Sequence, residues 1–505
     1  MDFWTLLLTF IVIVILYYYL SGGENFFDKH EILYIKPLPI FGNMWPAIFR
    51  ITSLVEYLQK VYYLDSKAKY VGFFDFACPV VLLRDQELIK SITVKQFDSF
   101  VNHRGFVDPV QEPLFGNNLF SLHDEKWRAT RNLLSPAFTS SKMKGMFKLM
   151  SDCAADYANY FVEHSQKQPL EINSKDAFTR YTNDVIGTCA FGIKVDSMRN
   201  PKNEFYVLGR RATNLEGWQS VKFFLLRSYP TLAKIFNIKL IGDDVQVFFN
   251  QLVKDTINMR DEKGISRPDM IQLMMESRKN EGGQGFTLSI EDMTSQAFIF
   301  FFGGFDTSSS LMCFAAQEIA CQPDIQAKLQ NEIDEAFEKH NDDPPYDVIQ
   351  NLVYLDAVLA ECLRMYPIAA FLDRVCNKEF ELPPALPGKK PVILKPGNNI
   401  WVPVYAINRD PNIYPNPDVF DPDRFIINGK TSVSSFSSLT FGLGPRMCIG
   451  NRFALLETKT LLVHLLRKLS LKPAKRAIVP IKISKSSVTM SAEGGFWLEI
   501  KPRNK

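Results

Sequence analysis

Phe441-Gly442-Leu443-Gly444-Pro445-Arg446-Met447-Cys448-Ile449-Gly450 is the stretch on which the reading of this chain turns. It sets one cysteine in a turn-forming run of Gly and Pro, with an arginine two residues before it. The glycines leave backbone freedom and no side chain where a flat ligand must come within bonding distance of sulfur. Asn451–Leu466, immediately after, has helical periodicity, so Cys448 sits just before a helix N-terminus, where the macrodipole favours negative charge. A metal–thiolate bond needs that access, and a dipole and N–H environment that keeps the sulfur anionic. A cysteine with neither property is an inert core side chain.

A second stretch breaks the rules of an ordinary core helix. Asp292–Gln322 reads as one long helix closed by Pro323, with Phe300-Phe301-Phe302-Gly303-Gly304-Phe305-Asp306-Thr307-Ser308 at its centre. Two adjacent glycines cost ~1 kcal/mol each relative to Ala inside a helix. Asp306 and Thr307 put polar groups into an apolar run, where each needs a partner. A planar ligand lying against Gly303 and Gly304 would use the clearance they leave. Thr307 could then distort the hydrogen-bond ladder and hold a water there. A kinked core helix with satisfied polar groups is the competing reading.

Two pairs at helical spacing accompany it. Glu361 and Arg364 stand at i, i+3 on a helix that Pro367 ends, and alone they read as a solvated surface pair. Pro422-Asp423-Arg424-Phe425 follows about 60 residues later. Trp127 and Arg131 stand at i, i+4, where an indole beside a guanidinium suits a carboxylate-bearing ligand.

At 505 residues the length suits two or three average domains. No Gly/Ser linker, charge block, repeat or low-complexity run interrupts the chain after residue 45, so 46–505 reads as one domain. The 46% hydrophobic content, with 41 Phe, is ample for one large core. A net charge of +3 from scattered basic residues gives no nucleic-acid footprint. The eight cysteines are widely spaced with no C-x-x-C pair, and the six histidines form no H-x-x-x-H pair. That spacing fits neither a zinc site nor a disulfide framework, and reduced cytosolic thiols are the simplest reading. Amphipathic helices are expected at Ile51–Leu64, Ser140–Glu163, Asp243–Asp261 and Ile325–Glu338. Short strand-like segments fall at Tyr70–Phe74 and Val80–Leu83, and strand-rich zones at Val392–Trp401 and Ile478–Ile500. The expected class is α+β, mainly α, with small peripheral sheets; Gly282–Gly285 reads as an exposed loop between helices.

Phe3–Leu20 is 18 residues without a charge. As a helix it spans ~27 Å at 1.5 Å per residue, enough for the thinner endoplasmic reticulum bilayer. A cleaved signal peptide predicts a basic n-region, whereas Asp2 is the only charge ahead of the run, although Ser21-Gly22-Gly23 could serve as a cleavage site. Residues 1–20 are read as a transmembrane anchor helix, and Lys29 and Lys36 favour a cytosolic body. Residues 21–45 form a hinge stiffened by Lys36-Pro37-Leu38-Pro39. Val221–Ile241 mixes Phe223, Phe224, Ile235 and Phe236 with Lys222, Arg227, Lys234 and Lys239. It reads either as a segment dipping into lipid headgroups or as a core helix pair.

Phe-x-x-Gly-x-Arg-x-Cys-x-Gly at 441–450, Gly-x-acid-Thr at 304–307, Glu-x-x-Arg at 361–364 and Pro-Asp-Arg-Phe at 422–425 occur in the order found in cytochrome P-450. The whole chain resembles that superfamily. Phe100-Val101-Asn102-His103-Arg104, Ser135-Pro136-Ala137-Phe138-Thr139, Tyr181-Thr182-Asn183-Asp184-Val185-Ile186-Gly187 and Ser266-Arg267-Pro268-Asp269-Met270 are similar to insect microsomal members of family nine, in the third clan. Two positions depart from the usual pattern: Gly303 replaces an alanine, and Asp423 replaces a glutamate.

The resemblance implies a haem-thiolate monooxygenase with haem b, Cys448 as the iron ligand, and insertion of one dioxygen atom into lipophilic substrates. Xenobiotics such as insecticides and plant toxins are the implied substrates. Electrons would come from NADPH through NADPH–cytochrome P-450 reductase, with cytochrome b5 as a further partner. The implied location is the endoplasmic reticulum membrane, with the catalytic domain facing the cytosol. Trp127, Arg131, Arg374 and Arg446 are expected at the haem propionates, with Gly303 and Phe441 beside the macrocycle. Asp306 and Thr307 are expected to deliver protons for O–O cleavage. Glu361, Arg364 and Arg424 are implied to form a buried structural cluster beneath the Cys448 loop. Phe115, Phe120, Phe301, Phe305, Ala369, Phe371 and Phe496 are substrate-facing candidates by position, and each also reads as plain core. Lys126, Arg128 and Lys459 are candidate reductase contacts. Oxidation of an endogenous lipid or hormone, a reductase-independent peroxide isomerase, and a non-catalytic haem-binding sensor or sequestering protein stay open.

Overall fold

The computed structural model describes residues 5, 12, 25–105, 107–215, 217–267, 269–280, 288–432, 439–487 and 489–503. The anchor read over 3–20 lies outside the described residues apart from Thr5 and Val12, as do residues 21–24 of the hinge, Pro268 and Gly282–Gly285. In chain order the longer elements are α1 (Leu54–Tyr62), β1 (Tyr70–Asp75), β2 (Cys78–Leu83), α2 (Asp124–Leu134), α3 (Ser140–Ser165), β3 (Leu170–Asn173) and α4 (Ser174–Ile186). Next come α5 (Glu204–Thr213), α6 (Asp243–Lys263), α7 (Ile290–Cys321), α8 (Pro323–Glu338) and α9 (Val353–Met365). The chain closes with β4 (Leu372–Val375), β5 (Asn399–Val402), α10 (Asn451–Lys468), β6 (Leu469–Pro473) and β7 (Trp497–Pro502).

The chain divides into two compact units: residues up to Arg104 with Ala370–Ile407, and Gly105–Ala369 with Asn408–Lys505. In the first unit β1 and β2 pair antiparallel, Tyr70 opposite Leu83, and β2 runs parallel to β5. With β4 antiparallel to β5, the strand order is β1–β2–β5–β4. Every residue of β1 is buried, so both faces of that strand are covered, and Val, Phe and Tyr suit such a position. The strand-rich zone Val392–Trp401 holds two strands. Val392–Leu394 pairs with Phe380–Leu382, and the Lys395-Pro396-Gly397-Asn398 turn separates it from β5. Gly397 takes φ +94 there, a conformation glycine adopts without steric cost.

In the second unit α7 is the axis, with α4, α5, α6, α9, α10 and β6 packed around it. Its start is set by a capping box: Ser289 Oγ accepts from Asp292 N at 3.0 Å, and Asp292 Oδ2 accepts from Ser289 N at 3.0 Å. Pro323 then opens α8 instead of continuing α7. Phe298, Phe301, Phe305 and Phe314 are buried along α7, each contributing roughly 1.5–3 kcal/mol. By length and composition α7 could cross a membrane, the one such helix among the described residues, yet most of its apolar window lies inside the fold. It is a core helix. The second sheet is β6–β7–β3, antiparallel throughout. The strand zone expected over Ile478–Ile500 holds only an isolated Ile483–Ala492 bridge until β7 begins at Trp497. Its partner β6 follows directly from α10, where the helical pattern hides a strand.

Candidate functional site

The Cys448 loop is built by local geometry. Gly442 and Gly444 take φ +86 and +72, which a side chain would strain. The Cys448 N–H donates to the Phe441 carbonyl at 2.7 Å, and Met447 N–H to Gly444 O at 3.0 Å, closing a tight turn against the start of α10. Cys448 is the one exposed cysteine of the eight. Burial nevertheless pushes its thiol up, against pulls from the Gly450 N–H and the Arg131 guanidinium. A sulfur facing an opening within the protein satisfies both observations. Desolvation outweighs the pulls from Gly450 and Arg131.

On α7 the two central glycines serve different neighbours. A Cβ on Gly303 would meet nothing within 4 Å, whereas one on Gly304 would come 2.9 Å from Ile186 Cδ1 of α4. Gly303 and Thr307, one turn apart, are exposed between the buried Phe301, Phe305 and Ser308. Only Gly303 leaves clearance for a ligand; Gly304 admits the neighbouring helix. The Thr307 hydroxyl donates back to the Gly303 carbonyl. Asp306 turns toward α4, where Lys175 Nζ sits 2.8 Å from Asp306 Oδ1. The same ammonium donates to the Asp306 carbonyl and to the hydroxyls of Ser309 and Ser310. Thr182 donates to Phe305 O at 2.8 Å, so α4 side chains draw on consecutive carbonyls at the centre of α7.

Trp127 is buried on α2, and the Arg446 guanidinium lies 4.1 Å from its ring centroid. Burial lowers the Arg131 pKa while the nearby Cys448 raises it, and no described carboxylate lies in ion-pair reach of that guanidinium. In the other unit, Arg374 on β4 is 2% exposed. Its Nη1 donates to Asp373 O, its Nε has no described partner, and burial pushes its pKa down to about 10. The Asp373 carboxylate instead faces His103 at 2.9 Å and the Arg104 N–H at 2.8 Å. A buried cation without a carboxylate is costly unless an anionic group meets it.

Glu361 joins two arginines. Arg364 reaches both of its oxygens at 2.6 and 2.9 Å, Arg424 Nε reaches Oε1 at 3.1 Å, and Asp421 N–H adds a fourth bond at 2.8 Å. Arg364 Nη1 continues to Asn408 O, and the Thr440 hydroxyl to Leu363 O, tying the approach to the Cys448 loop onto α9. Asp423, which stands where glutamate is usual, faces outward to Lys328 at 3.3 Å.

The sequence model of the cytochrome P450 family matches residues 34–498. The chain belongs to the cytochrome P450 family. Cytochrome P450 9e2 of Blattella germanica is 43% identical over 99% of this chain and 98% of its own length. Probable cytochrome P450 9f2 of Drosophila melanogaster is 38% identical over 96% of both chains. Cytochrome P450 9b2 of the same fly is 36% identical over 94% of both. This chain is therefore a P450 monooxygenase, and family membership implies a haem-thiolate cofactor. An accessible sulfur, the open face at Gly303 and the Arg131 guanidinium near that sulfur fit that group.

The substrate-facing candidates of this P450 separate by exposure. Phe301 has none: its ring lies 5.1 Å from Phe205, 5.2 Å from Phe249 and 5.0 Å from Phe305. Phe115, Phe305 and Phe496 are buried as well. Phe120 is 43% exposed, Ala369 half-buried, and Phe371 half-buried and stacked 3.8 Å from Trp401 within the first unit. Lys459 is 1% exposed, with its ammonium on Asp356 and on Gln350 O at 2.6 Å, so it touches no partner. Lys126 is exposed, and Arg128 faces Glu125 at 3.4 Å. Sequence reasoning passed over Lys175, Gln296 and Glu457. For the last two a polar residue in an apolar helical run was the available signal; for Lys175 nothing local was.

Proposed function

We propose that this P450 is anchored in the endoplasmic reticulum membrane, faces the cytosol and inserts one atom of dioxygen into lipophilic xenobiotics such as insecticides and plant toxins. Electrons come from NADPH through NADPH–cytochrome P-450 reductase, with cytochrome b5 as an additional partner. The observation that carries the reading is the Gly303–Thr307 face, open between the buried Phe301, Phe305 and Ser308, together with the accessible sulfur at the head of α10, which packs on that helix. Haem b, held through the Cys448 sulfur, would supply the dioxygen chemistry.

The chain's own residues bind, orient and move protons. Arg131 and Arg446, the latter braced by Trp127, would take the propionates, and Gly303 and Phe441 would border the macrocycle. Because the Thr307 hydroxyl gives its proton to Gly303 O, its lone pairs are left to accept from a water on the open face. Asp306 is partly exposed through its contact with Lys175 and connects that face to solvent. Proton entry therefore passes Asp306 and ends at Thr307. Ile235 and Phe236, each about 70% exposed and next in sequence to Lys234, supply an apolar, basic surface that a lipid headgroup layer would cover. The likeness to insect family-nine proteins supports xenobiotic substrates.

Reconstitution with the reductase in lipid vesicles tests this, using a mixed panel of lipophilic compounds and mass-spectrometric product identification. Products gaining one oxygen are expected, only with NADPH. Turnover that proceeds without NADPH, or a carbon monoxide complex lacking the red-shifted band of thiolate ligation, would sink the reading.

A further inference from the structure

Gln296 is almost fully buried on α7. Its amide grips one turn of backbone in both senses: Oε1 accepts from Leu119 N at 2.8 Å, and Nε2 donates to Asn117 O at 2.9 Å. Between them Asn118 shapes the turn, its Oδ1 accepting from the N–H groups of Phe120 and Ser121. The carbonyls that this turn presents are then used by the Cys448 loop. Arg446 Nη1 donates to Leu119 O at 3.3 Å and Nη2 to Leu122 O at 2.7 Å. That guanidinium is the one stacked on Trp127, two residues before the metal-binding cysteine.

We propose that Gln296 is a positioning residue for the cofactor: it holds the 117–122 turn so that the Leu119 and Leu122 carbonyls aim the Arg446 guanidinium at a haem carboxylate. The inference rests on the reading of Arg446 as a propionate partner. An apolar side chain at 296 would leave the Leu119 N–H and the Asn117 carbonyl buried without partners, and the turn would shift to find them. Outer contacts of this kind orient the groups that touch a cofactor and tune how tightly it is held. The neighbouring Ser295 supplies a contrast. Its hydroxyl lies 3.0 Å from both Pro113 O and Glu291 O, upstream of the carbonyls that Arg446 uses.

The test is the rate of haem transfer from the full-length holoprotein to an excess of a haem-scavenging apoprotein, which needs no turnover. Gln296→Met is expected to speed haem loss about tenfold, the scale of one lost buried hydrogen bond, and Ser295→Ala to change it less than about twofold. In an Arg446→Lys background the effect of Gln296→Met should largely vanish, because the two changes break the same path. An undiminished effect there, or equal effects of Gln296→Met and Ser295→Ala, overturns the proposal. Arg446→Lys alone leaving haem loss unchanged would overturn the propionate reading itself, and is told apart because Gln296 is intact. Should Gln296→Met yield no holoprotein, Gln296→Glu decides. A buried, protonated carboxyl accepts from Leu119 N–H and donates to Asn117 O, so haem loss near the parent rate is expected, and fast loss overturns the proposal.

Discussion

Lys175 Nζ lies 2.8 Å from Asp306 Oδ1 while donating to the Asp306 carbonyl and two α7 hydroxyls, so one ammonium on α4 fixes the acid beside Thr307. Lys175→Met should remove that restraint. The pair is partly solvated, so stability should fall by only about 1 kcal/mol. Product formed per NADPH consumed should drop by roughly an order of magnitude, because a misplaced acid delivers protons poorly. Thr307→Ala should uncouple the reaction in the same direction, and Thr307→Ser less. Parallel assays of NADPH oxidation and product decide the matter; an unchanged ratio in Lys175→Met would remove Lys175 from the proton path.

Gly303→Ala and Gly304→Ala should diverge. Replacing Gly303 puts a methyl into open space and should stabilise the chain by up to ~1 kcal/mol through helix propensity. The same gain at Gly304 is offset by a clash with Ile186, so a net loss is expected. Urea unfolding of the two variants provides the comparison, and equal shifts would contradict the assignment of the two glycines to different neighbours.

Glu361→Ala should fail to accumulate as haem-loaded protein. It would leave Arg364 and Arg424 without their shared carboxylate, and breaking a buried ion pair costs ~3–5 kcal/mol. The yield of carbon monoxide-binding protein reports the outcome. A yield near the parent level would show that Asn408 and the other carbonyl partners suffice.

Glu457 on α10 is fully buried, and neither carboxyl oxygen completes a hydrogen bond among the described residues. Burial pushes its pKa well above the ordinary 4.5, only partly opposed by the Ser308 hydroxyl. Above pH 4.5 the unfolded chain gives up a proton that the folded chain keeps, so this group lowers stability as pH rises. Glu457→Gln should match the parent near pH 4 and exceed it increasingly toward pH 8. Denaturant midpoints across that range test the sign, and an advantage that shrinks with pH would refute it.

His464 carries the opposite sign. Burial lowers its imidazole pKa from 6.5 to about 4, helped by Lys468 and Arg467. Between those values an unfolded chain binds a proton that the folded one refuses, so stability should fall as pH drops from 6.5 to 4, by at most about 3 kcal/mol. His464→Gln should flatten that fall, and an equally steep profile would exclude this histidine as its source.

Much of the site was legible because it is local. The Cys448 turn needs only its own glycines and the helix after it, and α7 announces itself by its long apolar run and by Pro323. What was missed is long-range. Lys175 and Asp306 are 131 positions apart, and Gln296 and Leu119 are 177 apart, so no window of sequence contains either pair. Lys459 was misread for a related reason. Residues 456–463 of α10 are buried on every side, which removes the polar face that would mark a cation as external. The expected zone from Ile478 is strand only in part, because a β-rich composition does not specify a partner strand; β7 exists where β6 and β3 supply one.

From residue order alone came the cysteine turn, the long glycine-interrupted helix and a mainly helical class, since each depends on backbone preferences within a few residues. Which aromatic rings keep accessible surface, which glycine faces open space and which cation holds Asp306 were settled by packing. Burial and pairing are properties of neighbours brought together by the fold, and the chain does not list them side by side.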